Sequence, residues 1–183
     1  MPTAAKSSRK TIKKPAKPAA KKVKTPAPAE KPAAGDRAPA FSMKATKIGS
    51  ANSAALKGKL FVLYFYPKDD TSGCTAEACG FRDALPAFSK LGIAVVGVSK
   101  DSIESHEKFA KKYQLTFPLA SDPEGKVCEQ YGVWKKKSMY GRIYMGIERS
   151  TFLIDAKGVV RAAWRKVSVA GHVEAVKKAL AEL

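Results

Sequence analysis

Residues 60–79 read LFVLYFYPKDDTSGCTAEAC, and the first seven form an unbroken apolar and aromatic run of strand length. A helical pattern begins near Cys74, so this cysteine lies where a buried strand gives way to a helix. The first turn of a helix carries unpaired N–H groups and the positive end of the helix dipole, and both favour a thiolate over a thiol. Because only the thiolate is a nucleophile, Cys74 is the candidate catalytic residue.

Outward from this stretch, the chain alternates strand and helix patterns. We predict strands at residues 60–66, 93–98, 150–154 and 159–164, and helices from about Cys74 to residue 91 and at 101–113, 123–131 and 172–183. This alternation, with a late hairpin around residues 155–158, predicts one α/β domain over residues 35–183, with a central mixed sheet flanked by helices.

Four local patterns give more specific predictions. Residues 49–53 have the composition of a turn and predict a small hairpin there. Asp101 is expected to cap a helix, with Glu104 three residues on as its partner. Pro118 indicates an edge strand or an irregular strand end. Residues 134–146, which include three consecutive lysines, predict a flexible basic loop.

Size and composition restrict the class of protein. The chain has 183 residues, and a polar tail at residues 1–34 leaves roughly 150, the length of one domain. Three cysteines are too few for a disulfide-dense secreted scaffold and favour a reducing compartment. No apolar stretch approaches the ~18 residues of a membrane span. We therefore expect a soluble, cytoplasmic protein.

The tail at residues 1–34 holds ten Lys or Arg and one acid, Glu30, which is half of the net charge of +18. Its Lys, Pro and Ala composition predicts disorder, because it cannot bury enough apolar surface to offset the entropy of ordering. Such a tail either binds nucleic acid weakly and without base specificity or is a solubilising extension. The first alternative would place the protein at the nucleoid or in a nucleus. A mitochondrial transit peptide is disfavoured, since Arg9 is the only arginine in the tail.

Pro67, Thr71 and Cys74 form the pattern PxxxTxxC, and the longer run FYPKDDTSGCTAEACGFRD resembles the active-site segment of the bacterioferritin-comigratory, or Q-type, peroxiredoxins. The resemblance extends from Gly35 to about the C-terminus, through GDRAPAF, DPEGKV, YMGIERSTFLID and GHVEAV. It implies a thioredoxin-like fold and an antioxidant thiol peroxidase that reduces hydrogen peroxide and organic hydroperoxides.

The resemblance also implies roles for individual residues. Cys74 attacks the peroxide, Thr71 hydrogen-bonds to the peroxide oxygens and Pro67 shields the thiolate from water. Arg149 matches the arginine that the family places beside the thiolate, where a permanently charged guanidinium would stabilise it. The alternative for Arg149 is a surface charge paired with Glu148. Glu77, one helical turn from Cys74, is expected to be a solvated surface carboxylate rather than a proton relay.

By the same resemblance, Cys79 is the resolving cysteine that condenses with the sulfenic acid on Cys74 to form a disulfide. On an unbroken helix two residues five apart are separated by ~7.5 Å of rise and about 140° around the axis. That separation exceeds the ~7 Å limit between disulfide-bonded Cα atoms. We therefore predict that the start of this helix unwinds on oxidation.

The resemblance further implies recycling by thioredoxin or a similar dithiol, a monomeric state and no metal, haem or flavin. A thioredoxin-like disulfide reductase is the rival enzyme, disfavoured because the cysteines are spaced CxxxxC rather than CxxC. Cys128 is expected to be an inert core cysteine. His106 and His172 lack the spacing of a zinc site, so neither is a predicted ligand.

Overall fold

The computed structural model describes residues 32–183, so the prediction of disorder for residues 1–34 falls almost wholly outside the described residues. Nine strands and four helices follow one another there: β1 Ser42–Ala45, β2 Gly49–Asn52, β3 Phe61–Phe65, α1 Ser72–Lys90, β4 Ala94–Ser99, α2 Ile103–Lys112, β5 Leu119–Ser121, α3 Lys126–Gln130, β6 Trp134–Met139, β7 Arg142–Ile147, β8 Ser150–Ile154, β9 Val160–Trp164 and α4 His172–Ala181.

Seven of these strands form one sheet in the order β2-β1-β5-β4-β3-β8-β9. Strands β3, β4 and β5 are parallel to one another, whereas β8 pairs antiparallel with β3 and β1 pairs antiparallel with β5. The sheet is therefore mixed, as predicted. Pro118 lies just before β5, an interior strand, so it marks an irregular strand end and not an edge.

Strand β3 is an interior strand of the sheet, between β4 and β8, and all five of its residues are buried. Because successive side chains point to opposite faces, β3 contributes to two cores. Leu63 and Phe65 pack with residues of α3, whereas Val62 and Tyr64 pack with residues of α1, α2 and α4. The uninterrupted apolar run at residues 60–66 is thus explained by a strand that is covered on both faces.

Helix α1 follows β3 after a six-residue loop, residues 66–71, and places Cys74 in its first turn. Pro86 lies inside this helix. Since proline has no N–H, the carbonyl of Arg82, four residues earlier, lacks its usual helical partner.

The predicted small hairpin is present as the pair β1 and β2, but the position of its turn and the predicted cap of α2 are wrong. Residues 49–52 are not a turn but strand β2, and the chain reverses at residues 46–48 instead. Helix α2 is capped by Ser102, whose hydroxyl accepts a hydrogen bond from the Ser105 N–H, and not by Asp101. The Asp101 carboxylate instead accepts from the Asp69 backbone N–H at 2.8 Å, a long-range contact that no local pattern shows.

The predicted flexible loop at residues 134–146 is also wrong. Strands β6 and β7 form a separate two-stranded hairpin there, which we call the basic hairpin. Its turn consists of Tyr140 and Gly141, both with positive φ, 50° and 76°. Two-residue turns with positive φ match the twist of a hairpin. The Tyr140-Gly141 pair therefore indicates a hairpin turn, which the prediction from the lysine run overlooked.

The described chain begins at Pro32, whose carbonyl accepts a hydrogen bond from Arg165 Nη2 at 3.0 Å. Pro32, within the segment predicted to be tail, is therefore buried against the domain, whereas Ala33 and Ala34 are exposed. None of the helices within residues 32–183 combines the length and hydropathy that a bilayer span requires.

Candidate active site

Cys74 is the third residue of α1 and is only 1% exposed. Thr71 occupies the N-cap position, but its side chain makes no capping hydrogen bond. The N-terminal N–H groups of α1 thus surround a cysteine in the first turn, where helix geometry favours negative charge. Its sulfur is a free thiol, as are those of Cys79 and Cys128.

Arg149 reaches Cys74 from a distant part of the sequence. Its Nη2 lies 3.2 Å from Cys74 Sγ, within hydrogen-bonding distance of sulfur. The sheet explains this approach, because Ser150, the first residue of β8, is the register partner of Phe65, the last residue of β3. The residue before β8 is therefore brought beside the loop that follows β3, as the resemblance implied.

The structure contradicts our expectation for Glu77. This carboxylate is 1% exposed and forms an ion pair with Arg149 Nη1, so it is neither solvated nor at the surface. Burial raises its pKa to about 7, although the Arg149 charge and hydrogen bond oppose the shift. Its Oε1 has no hydrogen-bond partner within residues 32–183. The residues buried on α1 include Cys74, Glu77, Ala78 and Phe81, a helical spacing that could have identified Glu77 as buried.

Arg149 therefore bridges a thiol and a carboxylate, and Glu148 is not its partner among the ion pairs of residues 32–183. Its fixed geometry suits this task, since a guanidinium offers several N–H donors in one plane. Gly73 allows the approach, because a Cβ added there would lie 3.3 Å from Arg149 Nη2.

Pro67 and Thr71 are both exposed on the loop between β3 and α1. The Thr71 hydroxyl donates to the Lys68 carbonyl at 3.1 Å. Both residues lie at the entrance to α1, close in sequence to Cys74, but their roles toward a peroxide stay predictions.

The same loop is anchored by a network of side chains that sequence reasoning missed. Asp69 is buried and accepts hydrogen bonds from Tyr66 Oη at 2.7 Å, from Ser105 Oγ at 2.8 Å and from His106 Nδ1 at 2.8 Å. Burial acts to raise the pKa of Asp69, but these hydrogen bonds lower it below its usual value. The network ties the loop to α2, which is the structural role of the buried His106.

The second histidine, His172, is buried beside β8. Its Nε2 is 2.7 Å from Thr151 Oγ1. Burial, together with the nearby Arg149 charge, lowers the pKa of His172 to about 4. Within residues 32–183, neither histidine belongs to a group of three or more metal-ligating side chains.

Cys79 is half-buried on α1, which is continuous from Ser72 to Lys90. The two cysteines are therefore held apart by regular helix in this reduced form, and a disulfide between them still requires the predicted unwinding. Cys128, by contrast, is fully buried on α3. Its backbone N–H donates to Asp122 Oδ2 at 2.8 Å, and burial and this carboxylate raise the pKa of its thiol well above the usual range.

Comparison with known proteins places this geometry in a family. The model of the AhpC/TSA family matches residues 34–163. The chain is similar to peroxiredoxin Bcp of Bacillus subtilis strain 168, at 47% identity over 81% of this chain and 95% of that protein. It is also similar to peroxiredoxin Bcp of Escherichia coli K12, at 42% identity over 81% of this chain and 96% of that protein.

Solved structures agree. The bacterioferritin comigratory protein of Xanthomonas campestris, studied for alkyl peroxide reduction, matches with a TM-score of 0.74 and 44% identity over 78% of this chain and 90% of that one. A mutant of Xylella fastidiosa PrxQ matches with a TM-score of 0.77 and 38% identity over 82% of this chain and 96% of that one. These matches confirm the predicted thioredoxin-like fold.

Proposed function

The chain belongs to the AhpC/TSA family and is a thiol peroxidase of the Bcp/PrxQ type, and from this premise we propose that Cys74 is its peroxide-attacking nucleophile. The observation that carries this proposal is the 3.2 Å contact between Arg149 Nη2 and Cys74 Sγ in the first turn of α1. A guanidinium and a helix N-terminus together favour the thiolate that the reaction requires.

The first step transfers one oxygen atom. The Cys74 thiolate attacks the nearer oxygen of a hydroperoxide, the O–O bond breaks, and the other oxygen leaves as water or an alcohol after taking up a proton. Cys74 is oxidised to a sulfenic acid. Arg149 is placed to stabilise the charge that moves from sulfur to the leaving oxygen, while Thr71 and Pro67 border the site.

The second step regenerates the thiol. Cys79 attacks the sulfenic sulfur, water leaves and an intramolecular disulfide forms. A dithiol such as thioredoxin then reduces this disulfide by exchange. The substrates are hydrogen peroxide and organic hydroperoxides, and we propose that the enzyme acts as a cytoplasmic monomer.

Hydroperoxide consumption in the presence of thioredoxin and its reductase tests both steps. We expect Cys74→Ser to be inactive, and Cys79→Ser to lose turnover while still reacting once with peroxide. Continued turnover by Cys79→Ser with thioredoxin would show that another thiol resolves the sulfenic acid.

A second function is supported by the charge of the tail, half of the total in residues 1–34. We propose that it tethers the peroxidase to nucleic acid through phosphate contacts, which release counterions and weaken with salt. A gel shift across a salt series should show binding for the full chain and none for a chain without residues 1–34. Equal binding by both chains would contradict the tether.

A further inference from the structure

The basic hairpin, residues 134–147, has an unusual surface. Eight large apolar side chains are exposed within residues 32–183, and five of them lie in this hairpin: Met139, Tyr140, Ile143, Tyr144 and Met145. Tyr140, at the tip, is 98% exposed. Surface apolar residues usually occur singly, whereas a cluster marks a site of interaction.

The apolar side chains lie on both faces of the basic hairpin. Ile143 and Met145 belong to one face, whereas Met139 and Tyr144 belong to the other, as the pairing of β6 with β7 shows. All four are exposed, so neither face of the outer part of the hairpin is covered by the domain. At the base of the hairpin, by contrast, the side chain of Ile147 is buried in the domain. The tip therefore projects into solvent from an anchored base.

The charge of the basic hairpin has one sign. Residues 134–147 include Lys135, Lys136, Lys137 and Arg142 and no acidic residue. A second copy of the chain would bring four more cations to the same place, which disfavours self-association through this element. A flat partner would cover one face and leave the apolar residues on the other face in water. An anionic lipid bilayer satisfies both features, since it surrounds an inserted tip and attracts cations at its surface.

We propose that the basic hairpin docks the enzyme on anionic membranes, with Met139, Tyr140 and Ile143 entering the headgroup region. The inference rests on the proposed function, and it defines the substrate class as hydroperoxides of membrane lipids. Arg149, which contacts Cys74, follows the last residue of the hairpin by two positions. Strand β7 therefore connects the tip of the hairpin to the segment that holds Arg149 against Cys74 Sγ.

Binding is tested with the full chain in its reduced form. We expect it to sediment with vesicles of phosphatidylcholine and phosphatidylglycerol, and at least tenfold less with phosphatidylcholine alone. Met139→Ser/Tyr140→Ser/Ile143→Ser should weaken anionic binding at least tenfold. The matched control, Ile48→Ser/Leu91→Ser, removes two exposed apolar residues elsewhere and should bind normally. Both variants retain residues 1–31, so the charge of the tail is common to them.

Insertion is separated from adsorption by fluorescence quenching. Tyr140→Trp should be quenched by lipids brominated in their acyl chains, whereas Leu91→Trp should not exceed the wild-type background from Trp134 and Trp164. Equal quenching of both variants, or wild-type binding by the triple variant, would overturn the proposal. The proposal would also be overturned if the triple variant kept vesicle binding but lost affinity for a DNA oligonucleotide. The same holds if the triple variant differed from wild type only in self-association.

An activity measurement distinguishes this inference from the peroxidase assignment. With hydrogen peroxide in solution, the triple variant should react within twofold of wild type. With phospholipid hydroperoxide in anionic vesicles, it should be at least fivefold slower. If wild type does not reduce hydrogen peroxide, the proposed function fails. If both proteins reduce the vesicle hydroperoxide equally, only the docking proposal fails.

Discussion

Cys74 and Cys128 are both buried cysteines on helices, yet their surroundings are opposite. Cys74 is 1% exposed and Cys128 is 0% exposed, so burial does not distinguish them. Each also lies near a carboxylate, Glu77 for the first and Asp122 for the second. The difference is direct contact with a cation, because Arg149 hydrogen-bonds to Cys74 and also pairs with Glu77, whereas at Cys128 the Lys100 charge opposes Asp122 without outweighing it.

The comparison indicates that contact with one guanidinium distinguishes the proposed nucleophile, Cys74, from Cys128. Burial penalises a thiolate in both places, since it removes water from the charge. At Cys74 the helix N-terminus and Arg149 place positive charge beside the sulfur. At Cys128 burial raises the pKa of the thiol, and the Asp122 carboxylate adds to this effect more than the Lys100 charge opposes it.

The largest effect on the reaction rate is expected from replacing the cysteines Cys74 and Cys128 in turn. Cys74→Ser should lower the rate constant for reaction with hydrogen peroxide by more than about 10³-fold, because a serine hydroxyl is not ionised at neutral pH. Cys128→Ala should retain activity within twofold and lose about 1 kcal/mol of stability, since it deletes a small buried side chain. Stopped-flow kinetics and thermal unfolding measure the two. A large loss of peroxide reaction rate in Cys128→Ala would contradict the contrast between Cys74 and Cys128.

The next largest effect is expected from removing the positive charge of Arg149. Arg149→Met should slow the reaction by roughly 10²- to 10³-fold, the size expected when one preorganised donor at developing charge is lost. The matched change at the other cysteine, Asp122→Asn, removes the negative charge and should leave Cys128 unreactive because burial remains. Mass spectrometry after one equivalent of peroxide identifies the oxidised cysteine. Oxidation of Cys128 in Asp122→Asn would mean that charge alone protects it.

The smallest effect concerns the pH dependence at Glu77. Below its pKa of about 7, Glu77 is neutral and resembles the glutamine of Glu77→Gln; above it, the carboxylate offsets part of the Arg149 charge. The ratio of wild-type to variant rate constants should therefore fall two- to fivefold between pH 6 and pH 8. Taking the ratio cancels the pH effects that are common to the two proteins. A ratio that stays constant or rises with pH would contradict this coupling.

Stability at Glu77 should follow the same titration. The folded-state pKa is raised above the value of 4.5, so the stabilisation is complete below pH 4.5 and is lost as the pH rises through about 7. Relative to wild type, Glu77→Gln should gain on the order of 3 kcal/mol at pH 8 and almost nothing at pH 4.5. Chemical denaturation at the two pH values measures this difference.

Local patterns predicted much of the fold but only part of the site. The apolar run before Cys74 and the amphipathic segments predicted β3, β8, β9 and the four helices, because their burial follows from residue type and spacing. The hairpin turn at residues 46–48 and the two-stranded basic hairpin were missed, since turn geometry and not apolar periodicity defines them. Helical spacing would have revealed the burial of Glu77. The anchoring of Asp69 by His106 joins residues 37 positions apart, and only the folded chain shows it.

Pro86 interrupts the hydrogen-bond ladder of α1 without ending the helix. The carbonyl of Arg82 lacks a helical partner, so the hydrogen-bond ladder is already interrupted beyond Cys79. Fraying that begins at Ser72 can therefore release Cys74 and Cys79 without breaking the later turn that holds Phe88 in the core. If the proposed disulfide forms by unwinding of α1, the interruption at Pro86 would limit that reorganisation to a segment of about three turns.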